Sequence, residues 1–199
     1  MGKVLLYIHG KGGSAQEAER YRILCEGYQI CGLDYHGETP WETKGEILAA
    51  FDSFQRGGNQ ITLIANSIGA FFAMNALKER TVFQACFISP IVDMEALILA
   101  MMARSHVTEA ELKERGEIQT ASGDTLSWAY LQYVRSHPIS WTVPTHILYG
   151  ERDFLTSMET IQSFARCHQA DLTVMEGGEH WFHTPEELAF HDAWVRRYL

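Results

Sequence analysis

Residues 61 to 77 constrain the fold more tightly than any other stretch of the chain. Ile61-Thr62-Leu63-Ile64-Ala65 is a β-branched, apolar run that reads as a buried strand. Ile68 through Leu77 is rich in Ala, Phe and Met and reads as a helix. Only Asn66 and Ser67 lie between the two. So sharp a turn presses the strand and helix backbones together, which demands small residues two positions either side of Ser67. Ala65 and Gly69 meet that demand. Ser67 has two readings at this joint. It is either a helix N-cap that bonds free amides, or a hydroxyl held up at a strained turn for chemistry.

The rest of the chain repeats the strand-to-helix rhythm. Lys3 to Ile8 is a first strand, followed by the glycine-rich loop His9-Gly10-Lys11-Gly12-Gly13. Ser14 and Glu17 form a capping box that opens a helix to about Cys25. Tyr28 to Asp34 is a second strand, and Trp41 to Phe54 a helix with Ile47, Leu48, Phe51 and Phe54 on one face. Gly57-Gly58-Asn59 ends that helix before the strand at 61. Val82 to Ser89 and His146 to Tyr149 are further strands, and Thr156 with Glu159 reads as a capping box for a helix reaching about His168. Asp171 to Met175 is the last strand. Thr184 to Glu187 caps the final helix, with Pro185 at its first position. Alternation of this kind implies about six mostly parallel strands with helices on both faces, in a single domain over residues 1–199.

One region breaks the rhythm. No strand is evident between Pro90 and Pro138, a span too long for an ordinary connection. Helical stretches occupy Met94 to Met102, Thr108 to Arg115 and Leu126 to Val134. Leu97, Met101, Trp128 and Tyr130 make residues 91–140 read as a packed helical lid rather than a disordered loop; the alternative is a crossover built from several helices.

Bulk properties exclude several classes of function. With 199 residues, 46% of them hydrophobic, the chain can bury one ordinary core. A net charge of −9 without a basic run argues against nucleic acid or an anionic membrane as partner. Cys25, Cys31, Cys86 and Cys167 are widely spaced, and Cys31 and Cys86 fall in strands, so buried free thiols are expected rather than disulfides or zinc ligands. The apolar run after Lys3 is too short for a signal peptide and ends in His9-Gly10. No run approaches the ~18 apolar residues of a membrane span. A cytoplasmic location is the expectation.

A serine hydroxyl becomes a nucleophile only when a base takes its proton and a third group orients that base. His180 is the candidate base, because it lies in a glycine-bearing loop after the last strand, at the sheet edge where ligands gather in open parallel sheets. His106, His137, His168 and His191 read as solvated residues. His180 and His183 lack a third and fourth ligand at metal spacing, so no metal is expected. Asp153 is the candidate acid, following the fifth strand; Asp93 is its substitute, and Asp34 reads as structural. The backbone amides of Lys11 and Ile68 are placed to receive an oxyanion. A phosphate cradle fails on residue order, since Lys11 precedes Gly12-Gly13-Ser14.

Taken together, these residues resemble the α/β-hydrolase superfamily over nearly the whole chain. The resemblance is carried by His9, Gly10 and Gly13 after the first strand, the nucleophile-elbow pattern around Ser67, Gly150 to Asp153, and the turn leading to His180. The chain order Ser, Asp, His is the one this fold uses. Two features depart from the family pattern: its two leading strands have no counterpart, making this a minimal version, and Ala65 replaces the first glycine of the elbow. The resemblance implies a serine hydrolase acting on a small-molecule carboxylic ester or thioester, with Ser67, Asp153 and His180 catalytic, Lys11 and Ile68 forming the oxyanion hole, and His9, Gly10 and Trp181 touching substrate. It implies no cofactor. A binding protein on the same scaffold, or a lyase or transferase with the same triad, are the alternatives.

Overall fold

The computed structural model describes residues 2–121 and 123–199. Its elements run β1 (Lys3–Ile8), a 3-10 segment (Ala15–Arg22), β2 (Tyr28–Leu33), α1 (Pro40–Arg56), β3 (Gln60–Asn66), α2 (Ile68–Leu77) and β4 (Gln84–Ile88). There follow α3 (Met94–Arg104), α4 (Glu109–Arg115), β5 (Glu117–Gln119), β6 (Thr125–Ser127) and α5 (Trp128–Ser136). The chain ends with β7 (Thr145–Gly150), α6 (Met158–His168), β8 (Asp171–Met175) and α7 (Pro185–Tyr198). Two compact units result, one formed by residues 1–92 with 140–199 and the other by residues 93–139.

The first unit is a six-stranded sheet in the order β2-β1-β3-β4-β7-β8, with every pairing parallel. Parallel register puts paired residues on one side, so Leu5, Tyr7, Ile30, Ile64, Cys86, Ile88 and Leu148 share a face. There they form a buried cluster with Ala18, Tyr21 and Leu24 around the 3-10 segment and with Trp194 and Val195 of α7. Arg20 and Asp192 form an ion pair that ties these two covering elements together. Val4, Leu6, Ile8, Leu63, Phe87 and Ile147 point the other way and are buried under α1, α2 and α6. Trp141 reaches Phe87 on that face and accepts a bond at its carbonyl from His168 Nδ1 of α6. Both faces are therefore covered, which is why the strands read as continuous apolar runs.

Three local expectations are corrected. The segment after Ser14 is a 3-10 helix ending at Arg22, not an α-helix to Cys25. It lies so tightly on β2 that a Cβ at Gly32 would stand 2.1 Å from the carbonyl oxygen of Ala15. The cap of α6 is Ser157, which accepts from the Thr160 amide; Thr156 instead gives its hydroxyl to the Pro90 carbonyl. His191 is not solvated: it is 3% exposed and meets the Tyr21 hydroxyl. Its place on the inner stripe of α7, beside Trp194 and Val195, explains the burial. Of the two strand cysteines, Cys86 is buried, with its thiol pushed up to about 12 by burial, while Cys31 is half-buried.

The second unit is not purely helical, contrary to expectation. β5 and β6 form an antiparallel hairpin, with Ile118 opposite Leu126. Each strand has three residues and one apolar side chain, too little for alternation to show. Leu126 therefore belongs to a strand, and α5 starts two residues later behind its cap Ser127. Gly116 ends α4 at φ 74°, a conformation that costs a side chain dearly, and so turns the chain into the hairpin. Arg135 of α5 binds Glu95 of α3 and both carboxylate oxygens of Glu109 at the start of α4. Among the described residues, no helix is long and apolar enough to cross a membrane.

Burial of His191 has a measurable consequence. Burial lowers its pKa to about 4, although Asp192 beside it pulls the other way. The unfolded chain, with an imidazole near ~6.5, then binds more protons than the folded one between those values. Stability should fall as pH drops from about 6.5 to about 4, by on the order of 2 kcal/mol at pH 5. Urea unfolding at pH 7.5 and pH 5 should show this loss in the wild type and a clearly smaller one in His191→Leu. Equal losses in the two proteins refute the assignment.

Candidate active site

Ser67 sits at the end of β3 with φ 50° and ψ −122°. That is a strained conformation for a residue bearing a Cβ, sustained only because its surroundings fix it. Its amide bonds the Ile88 carbonyl and its carbonyl accepts from the Ile91 amide, so the turn is held on both sides. The capping reading fails, because the Ser67 side chain makes no bond to the amides of α2. Its Oγ is instead 2.9 Å from Nε2 of His180.

The other ring nitrogen, Nδ1 of His180, lies 2.7 Å from Oδ2 of Asp153. A carboxylate only accepts, so Nδ1 carries the proton and Nε2 is left to accept from the serine. Asp153 Oδ1 takes the amides of Leu155 at 2.8 Å and Thr156 at 3.2 Å, which fixes the carboxylate. The side chains of His180 and Asp153 are 2% and 0% exposed. Asp93, the substitute acid, spends its carboxylate on the Ala96 amide as the cap of α3, and Asp34 is exposed.

Close approaches at three glycines bring the loops together. A Cβ at Gly69 would lie 2.3 Å from the carbonyl oxygen of His9, and one at Gly10 would lie 3.2 Å from Cβ of Ser67. The loop after β1, with Lys11 in it, is thus packed directly on the elbow. Ile68 opens α2, so its N–H has no helical carbonyl four residues back. A Cβ at Gly150 would lie 2.4 Å from the carbonyl oxygen of Glu179, which joins the Asp153 loop to the His180 loop. His9, expected to touch substrate, is 6% exposed and stacked on Tyr35 at 4.2 Å, while its Nδ1 meets the Gly10 carbonyl. Trp181 is 67% exposed with its ring 6.3 Å from that of His180.

Sequence reasoning missed Phe154, 65% exposed and 6.2 Å from the His180 ring on its Asp153-bearing loop. It also took Glu187 only as a helix cap. The Glu187 carboxylate is buried and receives the amides of Glu179 at 2.9 Å, His183 at 3.1 Å and Thr184 at 2.9 Å. Those donors bracket the turn that carries His180. The residue type and its position were visible, but the donors from Glu179 and His183 depend on the loop folding back.

The six-stranded parallel sheet, the elbow and the histidine loop define the α/β-hydrolase fold, and this chain has it. No family model matches the chain, and no curated protein matches it in sequence. Solved structures do. Est1E from Butyrivibrio proteoclasticus superposes with a TM-score of 0.75 at 18% identity, over 99% of this chain and 86% of its own. Alpha/beta hydrolase domain-containing protein 10 from mouse gives 0.74 at 17% identity, over 100% and 90%. E-2-(acetamidomethylene)succinate hydrolase gives 0.64 at 19%, over 100% and 92%.

Glu187 should govern the acid limit of the fold. Burial by itself would raise its pKa, but the amides of Glu179, Thr184 and His183 and the Thr184 hydroxyl outweigh that and bring it to about 2. A depressed carboxylate stabilises fully above its unfolded value of ~4.3, and the benefit disappears as pH falls toward the folded one. Glu187→Gln should lower Tm at pH 7, because an amide NH2 then faces backbone donors, and should flatten the further fall in Tm between pH 4 and pH 2.5. Circular dichroism melts read both, and a wild-type pH slope in the variant contradicts the assignment.

Proposed function

We propose that this protein is a serine hydrolase that cleaves carboxylic esters or thioesters through an acyl-enzyme. The observation that carries the reading is the continuous link from Asp153 through His180 to Ser67, with the serine on a strained turn. As the Ser67 oxygen attacks the carbonyl carbon, its proton passes to Nε2 of His180, and Asp153 stabilises the imidazolium that forms. The carbonyl oxygen becomes an oxyanion held by the amides of Ile68 and Lys11, the former at the positive end of α2. Collapse of this intermediate breaks the bond to the leaving alcohol or thiol, which takes the proton from His180. Water then repeats the sequence on the acyl-enzyme: it gives a proton to His180, forms the second tetrahedral intermediate, and releases the acid and Ser67.

Phe154 and Trp181 favour a substrate with a flat apolar group. Two large aromatic side chains standing open to solvent next to a buried imidazole offer stacking faces. Est1E, the similar structure noted above, has also been solved with ferulic acid bound.

Labelling by a fluorophosphonate, read by intact mass, should give one adduct on the wild type and none on Ser67→Ala. An unlabelled wild type, or a labelled Ser67→Ala, rules the mechanism out. Asp153→Asn should retain the fold and lose on the order of 10³- to 10⁴-fold in kcat, the cost of presenting the wrong tautomer. In a panel of p-nitrophenyl esters, aryl acyl groups should exceed linear ones of equal size in kcat/KM, and Trp181→Ala should narrow the difference. Equal preference in both proteins leaves the aromatic faces without a role in binding.

A further inference from the structure

We infer that Tyr7 and Glu17 are a positioning pair that sets the separation between the nucleophile and the loop bearing the second oxyanion donor; this rests on the hydrolase reading above. Asn66, the residue before Ser67, donates from Nδ2 to the Tyr7 hydroxyl at 2.8 Å. The Tyr7 hydroxyl donates to Oε2 of Glu17. Oε1 of the same carboxylate accepts the amide of Ser14 at 3.2 Å, where the loop after β1 ends. A hydrogen-bonded chain thus runs from the elbow, across the tyrosine, to the loop that contains Lys11.

The direction of each bond is fixed by chemistry. Tyr7 is 1% exposed, and burial pushes its hydroxyl far above the ordinary range, so it keeps its proton. A carboxylate can only accept, so that single proton goes to Glu17 and a lone pair remains for the Asn66 amide. Glu17 cannot be replaced by Gln without turning one acceptor into a donor. The loop is shaped around this carboxylate: a Cβ at Gly13 would lie 2.7 Å from Oε1 and 3.0 Å from Cβ of His9. At the loop's other end, the Tyr35 hydroxyl donates to the His9 carbonyl at 2.8 Å.

The proposed oxyanion donors come from two different segments, the amide of Ile68 from α2 and that of Lys11 from the loop. Their spacing is therefore set by whatever binds loop to elbow, and an error of about 1 Å in such a site costs up to ~100-fold in rate. Tyr7, Glu17 and Asn66 line a cavity of about 380 Å³, so water can fill the space left by a lost hydroxyl and the fold should tolerate the change.

Tyr7→Phe and Glu17→Gln, each tested on the full chain, should lower kcat roughly 10- to 100-fold while KM stays within about threefold. Binding of a trifluoromethyl ketone, which mimics the oxyanion, should weaken in proportion to kcat/KM, whereas Tm should move by only a few degrees. The double variant should be no slower than the slower single one, because one chain is broken in each. With Ser67 of the wild type labelled by fluorophosphonate, a kcat within twofold of wild type in both variants overturns the pair's role. So do fully multiplicative losses in the double variant, or a rate loss without weaker ketone binding. An unlabelled wild type overturns the hydrolase reading instead.

Discussion

The arrangement depends on two places where backbones approach too closely for any side chain. At Gly69 the first turn of α2 rests on the carbonyl of His9, and at Gly150 the end of β7 rests on the carbonyl of Glu179. The first contact puts the loop after β1 against Ser67. The second puts the segment carrying Asp153 against the one carrying His180. A Cβ at either position would overlap backbone oxygen, which cannot swing away as a side chain can, so a substitution must displace a whole loop. Because Ser67 already occupies a costly conformation, a small displacement there is enough to let it relax.

Between these contacts, the loops are fastened by carboxylates as well as by packing such as that of Phe182 against the core. Glu17 takes the Ser14 amide after β1, Asp153 takes two amides of its own loop after β7, and Glu187 takes three around the turn after β8. Hydrogen bonds to a charged acceptor are worth roughly twice those to a neutral one. An acidic chain is commonly read for its solubility and its choice of partners. Here a part of that acidity is spent on holding irregular backbone in place at the sheet edge, where glycine-bearing turns offer few apolar side chains to pack.

Much of this was legible in the sequence, for reasons specific to each element. The parallel strands are buried on both faces, so their apolar runs stand out, and the elbow is recognisable because its constraint is local. The pairing of His180 with Asp153 followed from both lying after strands at one sheet edge. Ala65, the departure from the hydrolase pattern, raises no conflict: it is fully buried and keeps its Cβ, while the position of the elbow that excludes a Cβ is Gly69. The failures share a cause too. The hairpin β5-β6 is too short to show a period, and the burial of His191 and the chain from Asn66 to Glu17 depend on partners distant in sequence. Register across β1 and β3 puts Tyr7 beside Ile64 and hence within reach of Asn66, which no single segment reveals.

The sheet order has an implication for residues 93–139. This unit leaves after β4 and returns before β7, and those two strands are direct neighbours, with Ile88 beside Leu148. Because the two strands run parallel, the chain leaves at the C-terminal end of β4 and re-enters at the N-terminal end of β7, where Thr145 lies beside Ala85. The connection is a crossover, and the register of β4 with β7 is set by their own pairing. Lengthening such a connection is thermodynamically mild, since each doubling of a flexible loop costs only about 0.6 kcal/mol. The segment is in this sense an exchangeable cassette: evolution or an engineer can rewrite it while Ser67, Asp153 and His180, all contributed from outside it, stay where the sheet puts them.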